Sequence, residues 1–199
     1  MKLLVAVVLA VLVPYSYCQA PSFCKGNECP KYVKLNSTQG NAFETRQYGP
    51  LTWATTTYSG PWHSNVLGQL FGRLFQYIQG SNTLKKKISM TVPVVTEVKS
   101  AAQGGTQYNM KFMIPTASMQ NIPKPIDSKV TLITDPASIY YVRSFGGFAN
   151  GQIYMSELQN LVNSINSPNI YDNNMFYTAT YDSPSEKYNR HNEVWLRKL

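Results

Sequence analysis

The chain has 199 residues, 43% of them hydrophobic and 14% charged, with a formal net charge of +8 at pH 7. That length suits one domain with its own core. The positive charge is dispersed and no nucleic-acid motif accompanies it, so no nucleic-acid partner is expected.

The N-terminus reads as a secretory leader. Lys2 gives a positive start, Leu3 to Val13 is an unbroken apolar run, and Pro14 ends it before a more polar stretch. The run is too short to span a bilayer, which takes about 20 residues. Cleavage after Cys18 leaves small residues, Ser16 and Cys18, on either side of Tyr17, so residues 1–18 are assigned to the signal peptide and the mature protein is expected outside the cell. No second apolar run reaches membrane length, so no membrane partner is expected.

Residues 19–42 are rich in Pro, Gly, Asn, Ser and Lys and read as an extended arm. With Cys18 gone, Cys24 and Cys29 form an even pair, and an oxidising compartment favours a disulfide between them. Such a bridge is expected to staple the arm rather than the core. Asn36-Ser37-Thr38 is an acceptor sequence for N-glycosylation at Asn36.

From residue 43 a pattern occurs twice. Phe43 to Tyr48 reads as a strand, Gly49-Pro50 as a turn, and Leu51 to Tyr58 as a second strand. After Gly60-Pro61 a helix starts at Ser64; Leu67, Leu70, Phe71, Leu74 and Ile78 recur at helical spacing, and Gly80 closes it. Lys87 to Val98 and Gln107 to Ile114 are further strands. A Pro-rich connection, residues 115–129, leads to the second copy. Val130 to Thr134 and Ile139 to Phe145 are its first strands. A helix carrying Tyr154, Leu158, Leu161, Val162 and Ile165 follows and stops before Pro168. Met175 to Tyr181 and Glu193 to Lys198 finish it. Two strand-strand-helix-strand-strand copies predict an α+β fold, an eight-stranded antiparallel sheet curved into a distorted barrel with both helices packed on it.

Catalytic machinery is thin, and no enzymatic activity is expected. Only His63 and His191 can act as neutral-pH bases, and there is no phosphate loop, metal-binding His pair or nucleophile elbow. Glu44, Glu97 and Glu193 sit in or beside strands, where solvation or ion pairing is the ordinary role. The first helix is more informative. Gly68 and Gly72 share a face although each costs about 1 kcal/mol relative to Ala in a helix interior. Two readings stand: a sheet packs tightly against them, or a flat ligand lies across them. Lys85-Lys86-Lys87, just after the helix, is either a solvated turn or a partner for the carboxylates of an amphipathic ligand.

Six segments together resemble the SOUL haem-binding family, in particular its haem-binding protein 2 branch. They are Phe43-Glu-Thr-Arg-Gln-Tyr-Gly-Pro50, Leu74-Phe-Gln-Tyr-Ile-Gln-Gly80, Lys87-Ile-Ser-Met-Thr-Val-Pro-Val94, Tyr141-Val-Arg-Ser-Phe-Gly-Gly147, Tyr177-Thr-Ala-Thr-Tyr-Asp-Ser-Pro184 and Arg190-His-Asn-Glu-Val-Trp195. They lie in order across residues 43–199, which form the expected SOUL-type domain. The resemblance implies non-covalent binding of haem or another tetrapyrrole along the first helix, with basic residues near the propionates. The ligand-binding set expected along that helix and in the last loop is Leu67, Gly68, Phe71, Gly72, Arg73, Phe75 and Lys187. A His proposed as iron ligand in one branch is Gln47 here, a poor ligand for iron. The basic helix positions are the neutral Gly68 and Gln76, with Arg73 between them, and Glu186 holds the aligned place in the last loop beside Lys187. His63 is then the candidate axial ligand. The rival expectation is an extracellular interaction protein, or a carrier of another apolar small molecule, that keeps the scaffold without haem.

Overall fold

The computed structural model describes residues 20–37, 42–60, 64–100 and 105–199. The expected leader, residues 1–18, lies outside them. The elements are β1 (Tyr32–Ser37), β2 (Glu44–Tyr48), β3 (Leu51–Gly60), α1 (Val66–Ile78), β4 (Val94–Ser100), β5 (Thr106–Met113), β6 (Thr131–Asp135), β7 (Ser138–Phe145), α2 (Gly151–Ile165), β8 (Met175–Thr180) and β9 (Asn192–Arg197). The α+β class holds. All ladders are antiparallel, in the order β1-β2-β7-β9-β8-β4-β5-β3-β6.

That order shows the internal repeat in space. Exchange the copies, β2 with β6, β3 with β7, β4 with β8 and β5 with β9, and the order from β2 to β6 reads the same backwards. The local two-fold passes between β4 and β8. Each copy lends its first strand to the other: β2 pairs with β7, and β6 with β3.

The sheet has nine strands among the described residues, not eight. The extra one, β1, lies in the segment expected to be an extended arm, and it adds to the β2 edge through Tyr32–Tyr48 to Ser37–Glu44. Its burial is low and it has no apolar alternation, which is why the sequence reads as an arm. The strand expected from Lys87 begins only at Val94. Pro93 has no N–H to give to a ladder, and the Thr91 hydroxyl and the Val92 N–H bond instead to the carbonyls of Met113 and Glu28 at 2.7 and 3.0 Å. α1 starts at Val66 with Asn65 at its cap rather than Ser64. α2 is capped by Asn150, whose side chain accepts from the Ile153 N–H at 3.0 Å, and it ends at Asn166 in the left-handed region.

The Cys24–Cys29 disulfide is present, but it does more than staple the arm. Both cysteines are buried in the same cluster as Tyr48, Trp53, Tyr177 and Trp195. Phe23 beside them stacks on the His191 ring, centroids 3.9 Å apart, and Lys25 reaches Asp182 at 2.6 Å. The arm is therefore a lid on the core at the β9 end.

Under that lid sits Glu193, fully buried. Its Oε1 takes Arg46 at 2.9 Å and the His191 Nε2 at 2.7 Å; its Oε2 accepts from the Tyr181 hydroxyl at 3.0 Å and the Trp195 indole at 2.8 Å. Burial alone would raise its pKa. The His191 hydrogen bond and the Arg46 charge outweigh it and hold the carboxyl down at about 2. Arg46, also buried, stays more firmly protonated than a free arginine: burial opposes its charge, and Glu193 more than restores it.

A carboxyl held lower when folded stabilises the protein above its unfolded pKa and loses that stabilisation as pH falls through the folded value. Stability is thus predicted to be flat near neutrality and to fall between roughly pH 4.5 and 2, as measured by denaturant midpoints. Glu193→Gln should cost about 3 kcal/mol at pH 7, because the buried Arg46 loses its buried counter-charge and keeps only the half-buried Glu44, at 2.7 Å, and should flatten the acid limb. A variant as stable as the parent at pH 7 would remove this account of the core.

Candidate functional site

α1 lies on β3 and β5. The sheet buries Val66, Leu70, Leu74, Tyr77 and Ile78. Of the apolar face expected from the spacing, Leu70, Leu74 and Ile78 are core, whereas Leu67 and Phe71 are not. They remain 39% and 37% exposed, and Phe75 is 41% exposed. The apolar arc of α1 is wider than the sheet can cover.

The surplus is ordered. Leu67, Phe71 and Phe75 recur at every fourth position, so they form one stripe. Phe71 and Phe75 are nearly parallel, with ring centroids 5.7 Å apart and planes at 16°. Phe71 is anchored edge-on by the buried Phe112 of β5 at 5.3 Å. Beside the stripe, on the side away from the sheet, stand Gly68 and Gly72. A Cβ on Gly72 would meet nothing within 4 Å, and one on Gly68 would meet only the Asn65 side chain, at 2.7 Å. The sheet does not pack on either glycine, so tight packing is excluded as their reason. What they provide is a flat step beside two aromatic rings.

The remaining candidates are not gathered here. At ~100° per residue, Arg73 points about 160° away from Phe71, to the opposite flank of the helix. Lys187 is exposed on the β8–β9 loop. That loop is tied to the N-terminal lid by Lys25–Asp182 and Lys25–Glu186, and to Phe148 by the Arg190 guanidinium 4.5 Å above the ring. His63 lies outside the described residues. His191 is spent on Glu193 beneath Phe23. No group of three or more metal-ligating side chains occurs among the described residues. The α1 surface therefore suits the flat apolar face of a macrocycle, and it brings no described ligand to a central metal.

Away from α1, a cleft of about 340 Å³ is lined by Leu35, Asn36, Phe43, Thr45, Tyr141 and Lys198. Asn36 is exposed on β1. Sequence reasoning passes over Arg46 and gives Glu193 only the ordinary role of a solvated or ion-paired carboxylate. Both lie inside matched segments, and pairing them needs the β2–β7–β9 order, which no local pattern contains.

Because Gly72 touches nothing, Gly72→Ala should stabilise the ligand-free protein by about 0.5–1 kcal/mol, read as a higher denaturant midpoint. Destabilisation would mean that the glycine serves packing after all.

The comparisons with known proteins come down on one family. The model of the SOUL heme-binding protein family matches residues 27–197. Heme-binding protein 2 of Homo sapiens is 32% identical over 161 residues, which is 79% of this chain and 78% of that protein. Heme-binding protein 1 of Xenopus tropicalis is 29% identical over 170 residues, 84% and 90% of the two chains. Among solved structures, SAV2435 bound to tetraphenylphosphonium aligns with a TM-score of 0.52 at 15% identity, over 79% of this chain and 93% of that one. The EcmrR C-terminal domain aligns at 0.53 and 10%, over 78% and 95%. These two share the fold. With the matched model spanning both copies of the repeat, the chain belongs to the SOUL heme-binding protein family.

Proposed function

We propose that this protein binds a tetrapyrrole, haem or a metal-free porphyrin, non-covalently on the outer face of α1. The observation that supports the reading best is the pair of stacked, exposed rings Phe71 and Phe75 beside the open step at Gly72. The names of the relatives point to the same ligand class. A porphyrin is a flat apolar disc with two carboxylates. Laid on Leu67, Phe71 and Gly72, it hides its face from water, and its carboxylates extend into the positive field of the Lys85–Lys87 loop beyond the helix end.

Magnitudes set the expected affinity. Covering ~200 Å² on each partner at about 25 cal/mol per Å² contributes about 10 kcal/mol. Lost freedom on association costs at least ~4 kcal/mol. The difference corresponds to a dissociation constant in the tens of micromolar.

In a haem titration the purified protein should give a saturable Soret change in that range. Gly72→Leu should weaken binding by about tenfold or more, since a branched side chain fills the step. Absence of a saturable change sinks the proposal and favours the rival carrier of another apolar molecule. If His63 supplies an axial bond, His63→Ala shifts the Soret band; an unchanged spectrum excludes that role.

The reading also places the protein outside the cell. Two features support export: the Leu3–Val13 run after Lys2, and a bonded Cys24–Cys29 pair built into the core. Expressed with its own N-terminus in animal cells, the chain should appear in the medium starting at Gln19, and glycosidase treatment should increase its mobility unless Asn36→Gln is present. Retention inside the cell with residues 1–18 intact would contradict this.

A further inference from the structure

At the C-terminal end of α1 two loops, residues 81–87 and 121–129, are laced into one tip. Asn82, fully buried, gives its amide to the carbonyls of Tyr77 and Lys86 at 3.0 and 2.7 Å, and its Oδ1 accepts from the N–H groups of Leu84 and Lys86 at 3.2 and 3.1 Å. All four hydrogen-bonding capacities of that side chain are used. Asn82 also bridges to Pro125 across the loops. Thr83 and Lys124 exchange two hydrogen bonds, at 2.9 and 3.1 Å, and the Tyr77 hydroxyl donates to the Pro123 carbonyl at 2.8 Å. The tip is held in place from the helix side.

What it presents outward is unusual for a surface turn. Leu84 is 50% exposed and Ile126 66% exposed. Around them are five exposed lysines, Lys85, Lys86, Lys87, Lys124 and Lys129, against a single acid, Asp127. Asp127 is turned onto the Lys129 backbone N–H at 2.9 Å. None of the five lysines enters an ion pair among the described residues, whereas Lys25, Lys34 and Lys99 do. Lys187 and Lys198 also lack one, but each stands alone; the tip gathers five such lysines around two exposed aliphatics.

We infer that this tip is a docking surface for an anionic membrane, with Leu84 and Ile126 entering the headgroup boundary and the lysines meeting lipid phosphates and carboxylates. Charge complementarity selects an anionic partner. The two aliphatics select a lipid surface over a soluble polyanion, to which exposed Leu and Ile side chains would contribute nothing. The expectation of no membrane partner was drawn from the lengths of apolar runs; it speaks to spanning and leaves surface attachment open. The inference goes beyond tetrapyrrole binding, and neither requires the other.

The test is flotation of residues 19–199, which hold every element of the described residues, with phosphatidylcholine vesicles that either contain or lack phosphatidylserine. Binding is expected to the anionic vesicles alone and to fade with added salt. Lys85→Gln/Lys86→Gln/Lys87→Gln should weaken it on the order of a hundredfold. Leu84→Ser/Ile126→Ser should weaken it at least about tenfold while leaving porphyrin binding and near-UV circular dichroism unchanged. No flotation with anionic vesicles overturns the inference. So does undiminished flotation of the Leu84→Ser/Ile126→Ser variant, which would make the tip a patch for soluble polyanions.

Discussion

The structure turns on one buried carboxylate. Glu193 stands on the interior strand β9, and Arg46 of β2, Tyr181 just after β8, His191 and its strand neighbour Trp195 converge on it. Burying a lone carboxylate is prohibitively costly; burying one that is fully hydrogen-bonded and paired is not. The arrangement therefore admits only one register of β2, β7 and β9. It also explains why the N-terminal segment belongs to the fold. Phe23 covers the exposed face of His191, and the disulfide fixes the turn that carries Phe23.

The other half of the sheet answers with the charges reversed. Under the local two-fold, β9 corresponds to β5 and β2 to β6. Where Glu193 of β9 meets Arg46 of β2 across β7, Lys111 of β5 meets Asp135 of β6 across β3, at 3.0 Å. Lys111 is nearly as buried as Arg46 and has Glu97 as a second partner at 3.3 Å. Each half thus pins the strand borrowed from the other copy by an ion pair. Such a frame leaves little freedom for the sheet to act as a moving part. What the sheet leaves uncovered on α1 is a stripe of three apolar side chains and two glycines, the surface the proposed function uses.

Much of this was legible in the sequence. The repeat was visible as two runs of strand, turn, strand, break and helix, and the helical spacing located α1 and α2 to within a few residues. The resemblance to the SOUL family puts the expected ligand site along α1. Other features needed the third dimension. β1 has neither alternation nor strong β-formers throughout, and it is a strand because β2 offers a free edge. The spacing could not separate Leu70 from Phe71, since both belong to one broad apolar arc and only the sheet's width decides which is covered. Nor could it show how deeply Glu193 is buried and paired, because that depends on strands distant in sequence.

Where a tetrapyrrole lies is read most directly from the NMR spectrum of the protein with and without a diamagnetic zinc porphyrin, whose ring current shifts nearby protons upfield. Binding on α1 gives the largest shifts at Gly68, Phe71 and Gly72, with α2 unaffected. Shifts centred instead on the cleft at Leu35, Phe43 and Tyr141, with α1 unmoved, would contradict it.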